Sequence, residues 1–192
     1  MDEIHPDPER RQFLTGAAAV VGGVGAALAG LPFAASWFPS EKAKALGAPV
    51  EVDISKIAPG QQITVPWRGQ PIFVVHRTQE SLQALAKSEP LLRDPDSREA
   101  DQPDTIRTKD RAINPQFLVV TGLCTHLGCV PLYKPKMGSL EPEWLGGFFC
   151  PCHGSKYDMS GRVYKGVPAP TNLPIPPHEY ISSTLLLIGE KV

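Results

Sequence analysis

All four cysteines of this 192-residue chain, and two of its five histidines, fall in two short stretches, "CTHLGC" at 124–129 and "CPCHGS" at 150–155. They supply six strong metal ligands: Cys124, His126, Cys129, Cys150, Cys152 and His153. A tetrahedral metal site takes four donors, and so does a two-iron cluster. Neither stretch alone offers four, so the fold has to bring both loops to one point. The cysteine spacings, C-x4-C and C-x-C, fit neither the paired C-x2-C knuckles of a zinc ribbon nor a plant-type ferredoxin. Spacing alone leaves open zinc in another Cys/His arrangement, or a disulfide with incidental histidines.

From Phe13 to Ser40 the chain carries no charged residue, a run long enough for the roughly 20 apolar residues of a membrane span. Ahead of it stands "ERRQFL", with Arg10 and Arg11 paired. This pattern resembles the twin-arginine signal that exports folded, cofactor-loaded proteins across bacterial inner membranes. An ordinary anchor obeying the positive-inside rule places the ends the same way. "AKA" at 43–45 formally fits a peptidase site. The long apolar run, with Trp37 and Phe38 at its end, favours a retained anchor. The expected layout is a cytoplasmic segment at 1–12, a transmembrane helix at 13–39, a hinge linker at 40–49 and an exported domain at 50–192.

Nineteen basic against twenty acidic residues give no electrostatic case for nucleic acid. Twenty-one prolines and seventeen glycines suit a loop-rich β body. Apolar runs predict strands at 50–54, 62–67, 71–78, 117–122 and 183–189. "SLQALAKSEPLL" at 81–92 has helical spacing, stopped by Pro90. "RDPDSREADQPD" at 93–104 reads as a surface insertion, and "PAPTNLPIPPH" at 168–178 is too proline-rich for a central strand. An all-β, layered antiparallel domain follows, with the metal loops at strand ends. His5, His76 and His178 stand apart, as surface or hydrogen-bonded structural residues.

The paired C-x-H-x-x-C and C-P-C-H-G-S loops resemble those of the Rieske iron–sulfur proteins. The resemblance implies one [2Fe–2S] cluster, bound by Cys124 and Cys150 on one iron and His126 and His153 on the other. It implies a disulfide between Cys129 and Cys152, which would pin the two loops and persist only in an oxidising compartment. In "HGSKYD", Ser155 and Tyr157 match the family's hydroxyl donors to cluster sulfurs, and Leu127 matches its apolar shield. The cluster-binding subdomain would span about 122–170.

"VPWRGQPIFVVHRT", "LVVTGLCTHLGCVP" and "GVPAPTNLPIP" are similar to the quinol-oxidising branch of that family. Val167 interrupts the G-P-A-P that some members carry in the last of these. For this branch the resemblance implies a Rieske subunit of a bacterial ubiquinol–cytochrome c oxidoreductase, with little activity alone. His126 and His153 would meet quinol and couple proton to electron transfer. Partners would be ubiquinol, a cytochrome b subunit and a c-type cytochrome subunit, in a dimeric complex of the inner membrane with the Rieske domain periplasmic. Three rivals are a Rieske relay subunit of a soluble periplasmic oxidase such as arsenite oxidase, an aromatic-ring oxygenase component or its ferredoxin, and a zinc-binding structural protein. The extra cysteine pair and the arginine pair argue against the ferredoxin.

Overall fold

The structure is a computed structural model that describes residues 7–189, without the side chains of residues 44 and 46. The chain divides into two units, residues 1–45 and 46–192. His5 lies outside the described residues.

In the first unit, helix α1 runs Pro8–Ala35. Asp7 caps it by accepting from the Glu9 amide at 3.0 Å, and Pro8 occupies the first turn, where a missing N–H costs nothing. Its 28 residues rise about 42 Å, enough for a hydrocarbon core of about 30 Å. The helix starts earlier than the expected span, so Arg10 and Arg11 are helical, and it ends before Trp37 and Phe38. A short helix α2, Glu41–Leu46, occupies much of the stretch read as a linker.

Among the described residues, the second unit holds nine strands in three antiparallel sheets. Strands β2 (Gln62–Trp67), β3 (Gln70–His76) and β4 (Phe117–Thr121) form the middle sheet. Its apolar runs are continuous rather than alternating because both faces are covered. Ile72, Val74 and Val119 pack with Val52, Leu186 and Ile188 of the sheet made from β1 (Val50–Asp53), β8 (His178–Tyr180) and β9 (Leu185–Ile188). Phe73, Val75, Leu118 and Val120 pack with Phe148 and Tyr157 of the third sheet, β5 (Leu132–Lys134), β6 (Gly147–Phe149) and β7 (Lys156–Tyr157). The layered antiparallel expectation therefore holds, with the middle sheet joining a base to the sheet that carries the cysteine loops.

Helix α3, Gln79–Ser88, is capped by the Thr78 hydroxyl and gives way to a 3-10 turn at Pro90. The 93–104 segment is a surface insertion only in part: Arg93, Asp96, Arg98, Glu99, Asp101 and Asp104 are exposed, but Asp94, Ser97, Ala100 and Gln102 are buried, the polar ones among them partnered by the turn's own amides and by Asn172 and Arg111. The Asp94 carboxylate accepts the Arg98 and Glu99 amides at 2.9 and 3.0 Å, and Asn172 Nδ2 donates to the Asp94 carbonyl at 3.0 Å. His76 and His178 are hydrogen-bonded structural residues as expected: their Nδ1 atoms donate to the carbonyls of Ile57 and Pro176.

Candidate metal centre

Strand β4 runs out at Thr121 into the first cysteine loop, and β6 runs out at Phe149 into the second. The loops share one backbone plan. Cys124 N–H donates to the Cys129 carbonyl at 2.8 Å, and Gly128 N–H donates back to the Cys124 carbonyl at 2.8 Å. Cys150 N–H donates to the Ser155 carbonyl at 2.8 Å, and Gly154 N–H to the Cys150 carbonyl at 2.9 Å. In each loop the fourth residue after the leading cysteine is a glycine in the left-handed region, φ 78° at Gly128 and 77° at Gly154. The plan puts each leading cysteine at the root of its loop, turned into the domain.

Cys124 and Cys150 are accordingly buried free thiols, 3% and 2% exposed. Burial pushes the Cys124 thiol up. Hydrogen bonds from Tyr157, the His126 amide, Cys150 and Ser155 outweigh that effect and hold it below its ordinary value. Burial and the neighbouring Cys124 push Cys150 up.

His126 and His153 lie farther out, His126 half-buried and His153 exposed. Their rings meet edge to face, with centroids 4.8 Å apart. Cys129 and Cys152 form a disulfide, 6.7 Å between Cα atoms, that ties one loop to the other. The sulfurs of Cys129, Cys150 and Cys152 lie within 4.8 Å of one another, but two of them are spent on the disulfide. The donors left are two inward thiols and two outward imidazoles.

Tyr157 is fully buried, and its hydroxyl donates to Cys124 Sγ at 3.2 Å. Burial keeps that phenol protonated. Ser155, also fully buried, accepts the Ala169 amide at 3.1 Å, which leaves its own O–H for the sulfur side. Leu127 is 72% exposed at the tip, beside Val130 at 52%.

Thr125 escaped the reading of the sequence. Its backbone N–H donates to the Tyr157 hydroxyl at 3.1 Å, and its Oγ1 donates to the Thr171 carbonyl at 2.7 Å. It therefore joins the tyrosine to the proline-rich 168–178 segment, which is anchored again where Thr121 N–H meets the Pro174 carbonyl at 2.8 Å. A threonine between a cysteine and a histidine carries no signal of such a role without the fold.

Two thiols and two imidazoles suit tetrahedral zinc as well as a two-histidine, two-cysteine [2Fe–2S] centre. Hydroxyl donors aimed at a thiol sulfur fit the cluster, whose potential such hydrogen bonds adjust. Comparison with known proteins decides between them. The family described as "Rieske [2Fe-2S] domain" matches residues 49–177, and that described as "Ubiquitinol-cytochrome C reductase Fe-S subunit TAT signal" matches residues 1–40. The chain is 54% identical to the ubiquinol-cytochrome c reductase iron-sulfur subunit of Allochromatium vinosum, over 94% of this chain and 88% of that protein. It is 47% identical to the same subunit of Bradyrhizobium diazoefficiens, over 95% of each. It is 46% identical to the mitochondrial cytochrome b-c1 complex subunit Rieske-3 of Nicotiana tabacum, over 95% of this chain and 63% of that protein.

Proposed function

The chain belongs to the Rieske iron–sulfur family, on the branch of the ubiquinol–cytochrome c reductase subunits, and from that premise we propose that Cys124 and Cys150 hold one iron of its cluster and His126 and His153 the other. As a member it carries a Rieske [2Fe–2S] cluster and is an electron-transfer subunit of an oxidoreductase complex. When bound, the cluster supplies a one-electron carrier of raised potential, since two neutral imidazoles replace two thiolates.

The chain's own residues do the rest. His126 and His153 stand at the outer rim, where the ring nitrogen not bound to iron can take a proton from a quinol hydroxyl. Leu127 gives the tip an apolar face that excludes water. The Cys129–Cys152 disulfide fixes the distance between the loops. Tyr157 and Ser155 place hydroxyl protons against sulfur, where they stabilise added negative charge. The observation that carries this reading is the inward pair of thiols, one of them bonded to Tyr157, beneath an outward pair of imidazoles.

Tyr157→Phe removes one of those protons. If the bond differs by about 1–2 kcal/mol between redox states, the midpoint potential falls by roughly 40–90 mV while the cluster stays assembled. Redox titration checks it, and an unmoved potential would remove Tyr157 from the role.

Helix α1 anchors the chain in the bacterial inner membrane, with its N-terminus cytoplasmic and the cluster domain periplasmic. Ubiquinol gives one electron to this subunit, and a c-type cytochrome subunit takes it onward. A cytochrome b subunit receives quinol's second electron, and the assembly is dimeric. Residues 40–49 serve as the hinge on which the domain moves between partners. The relatives' names lend no support to a soluble arsenite oxidase subunit. Mild-detergent extraction tests the partners: this chain should elute with both b-type and c-type haem absorbance. Elution without either haem would overturn the assignment.

A further inference from the structure

We propose that Asn172 and Ser97 are positioning residues that, through the 169–172 segment, hold the Ser155 and Tyr157 hydroxyls in place against Cys124 Sγ, an inference that rests on the metal-centre assignment above. Asn172 is 1% exposed, and its side chain makes three hydrogen bonds. Nδ2 donates to the Asp94 carbonyl at 3.0 Å and to Ser97 Oγ at 2.9 Å, and Oδ1 accepts the Val163 amide at 2.8 Å. All three partners lie outside the two cysteine loops, so Asn172 ties the proline-rich segment to the body of the domain.

The residues just before Asn172 bond to the surroundings of the thiols. Ala169 N–H donates to Ser155 Oγ at 3.1 Å. The Thr171 carbonyl takes the Thr125 hydroxyl at 2.7 Å, and Thr125 N–H donates to the Tyr157 hydroxyl at 3.1 Å. Val163, held by Asn172 Oδ1, pairs with Tyr157 in an isolated antiparallel bridge. Ser155 and Tyr157 are the two hydroxyls whose bonds act on Cys124. Asn172 therefore reaches both of them through its own backbone neighbours.

The far side of this clamp shows what it is for. Ser97 is fully buried at φ 53°, a left-handed conformation that glycine adopts freely and serine does not. Glycine would relieve the turn but would not offer the hydroxyl that takes the Asn172 N–H. Retained strain of this kind points to use of the side chain that causes it. The turn is braced from behind, where Arg107 donates to the Ser97 carbonyl at 3.0 Å and Arg162 to the Pro95 carbonyl at 3.3 Å. A hydrogen bond weakens steeply as its geometry opens, and partners behind the ligands fix that geometry. Releasing the 169–172 segment frees Ser155 to turn its proton away from sulfur, which disfavours added negative charge there.

The test is a redox titration, followed by EPR, of the membrane-bound protein with its cluster. Ser97→Gly removes one bond of the clamp while relieving the backbone, and Asn172→Leu removes all three at similar volume. Both should lower the midpoint, Asn172→Leu by more. In a Ser155→Ala background the shift caused by Ser97→Gly should shrink, because part of its route is already gone. Either loaded variant at the wild-type potential would overturn the proposal, whatever its unfolding temperature, since that is the behaviour of a packing residue. An undiminished shift in the Ser155→Ala background would overturn it as well. If Asn172→Leu does not load its cluster, Ser97→Gly decides by the same criteria. Failure of Ser97→Gly to load would also count against the proposal, because glycine suits that backbone. A wild-type protein without a Rieske signal would instead defeat the metal-centre assignment.

Discussion

Cys124→Ser and Cys150→Ser each leave a folded chain with almost no iron and no cluster absorbance. Each removes a buried sulfur that no neighbouring donor can replace, since the nearest other sulfurs, Cys129 and Cys152, are bonded to each other. Cys129→Ser belongs to a different class. Its disulfide closes a sequence separation of 23 residues, for which loop-closure entropy accounts for about 3 kcal/mol. The loss shows as a lower unfolding temperature of the cluster-loaded protein, with no ligand removed. Iron analysis and thermal unfolding of the three variants separate ligand from clamp. Full iron in Cys150→Ser would contradict the assignment.

Gly147→Ala is the most damaging change away from the ligands. Gly147 opens β6 with φ 145°, and a Cβ there would overlap the Tyr157 carbonyl and the Asp158 backbone. Both obstacles are main chain, so no side chain can swing aside. The cost is about 3–4 kcal/mol, from strain and forced separation together. Because β6 leads straight into Cys150 and β7 carries Tyr157, cluster loading falls with stability. Gly138→Ala is the control: its φ is 68° but a Cβ meets nothing within 4 Å, so it loses only about 1–2 kcal/mol of left-handed preference. Denaturant midpoints compare the two, and equal losses would contradict the close-approach account.

The middle sheet was legible in the sequence because an apolar run such as "FLVV" has few alternatives to a strand covered on both faces. Strands β5, β6 and β7 were not, since they have only two or three residues each and exist because the cysteine loops need roots. The 93–104 segment misled through its polarity. Asp94, Ser97 and Gln102 look like surface residues until their partners, the Arg98 and Glu99 amides, Asn172 and Arg111, are seen. At the centre, residue types and spacing announced the six candidate ligands, and the family pattern supplied the Cys129–Cys152 pairing that the structure contains. Thr125 stayed hidden because it acts through a main-chain carbonyl far away in sequence, at Thr171.

The most direct measurement is low-temperature EPR on washed, ascorbate-treated membranes that contain this protein. A rhombic Rieske-type signal retained in the membrane fraction is the result expected of a high-potential cluster on two cysteines and two histidines in an anchored chain. A signal that needs dithionite, or that leaves with the soluble wash, would contradict it.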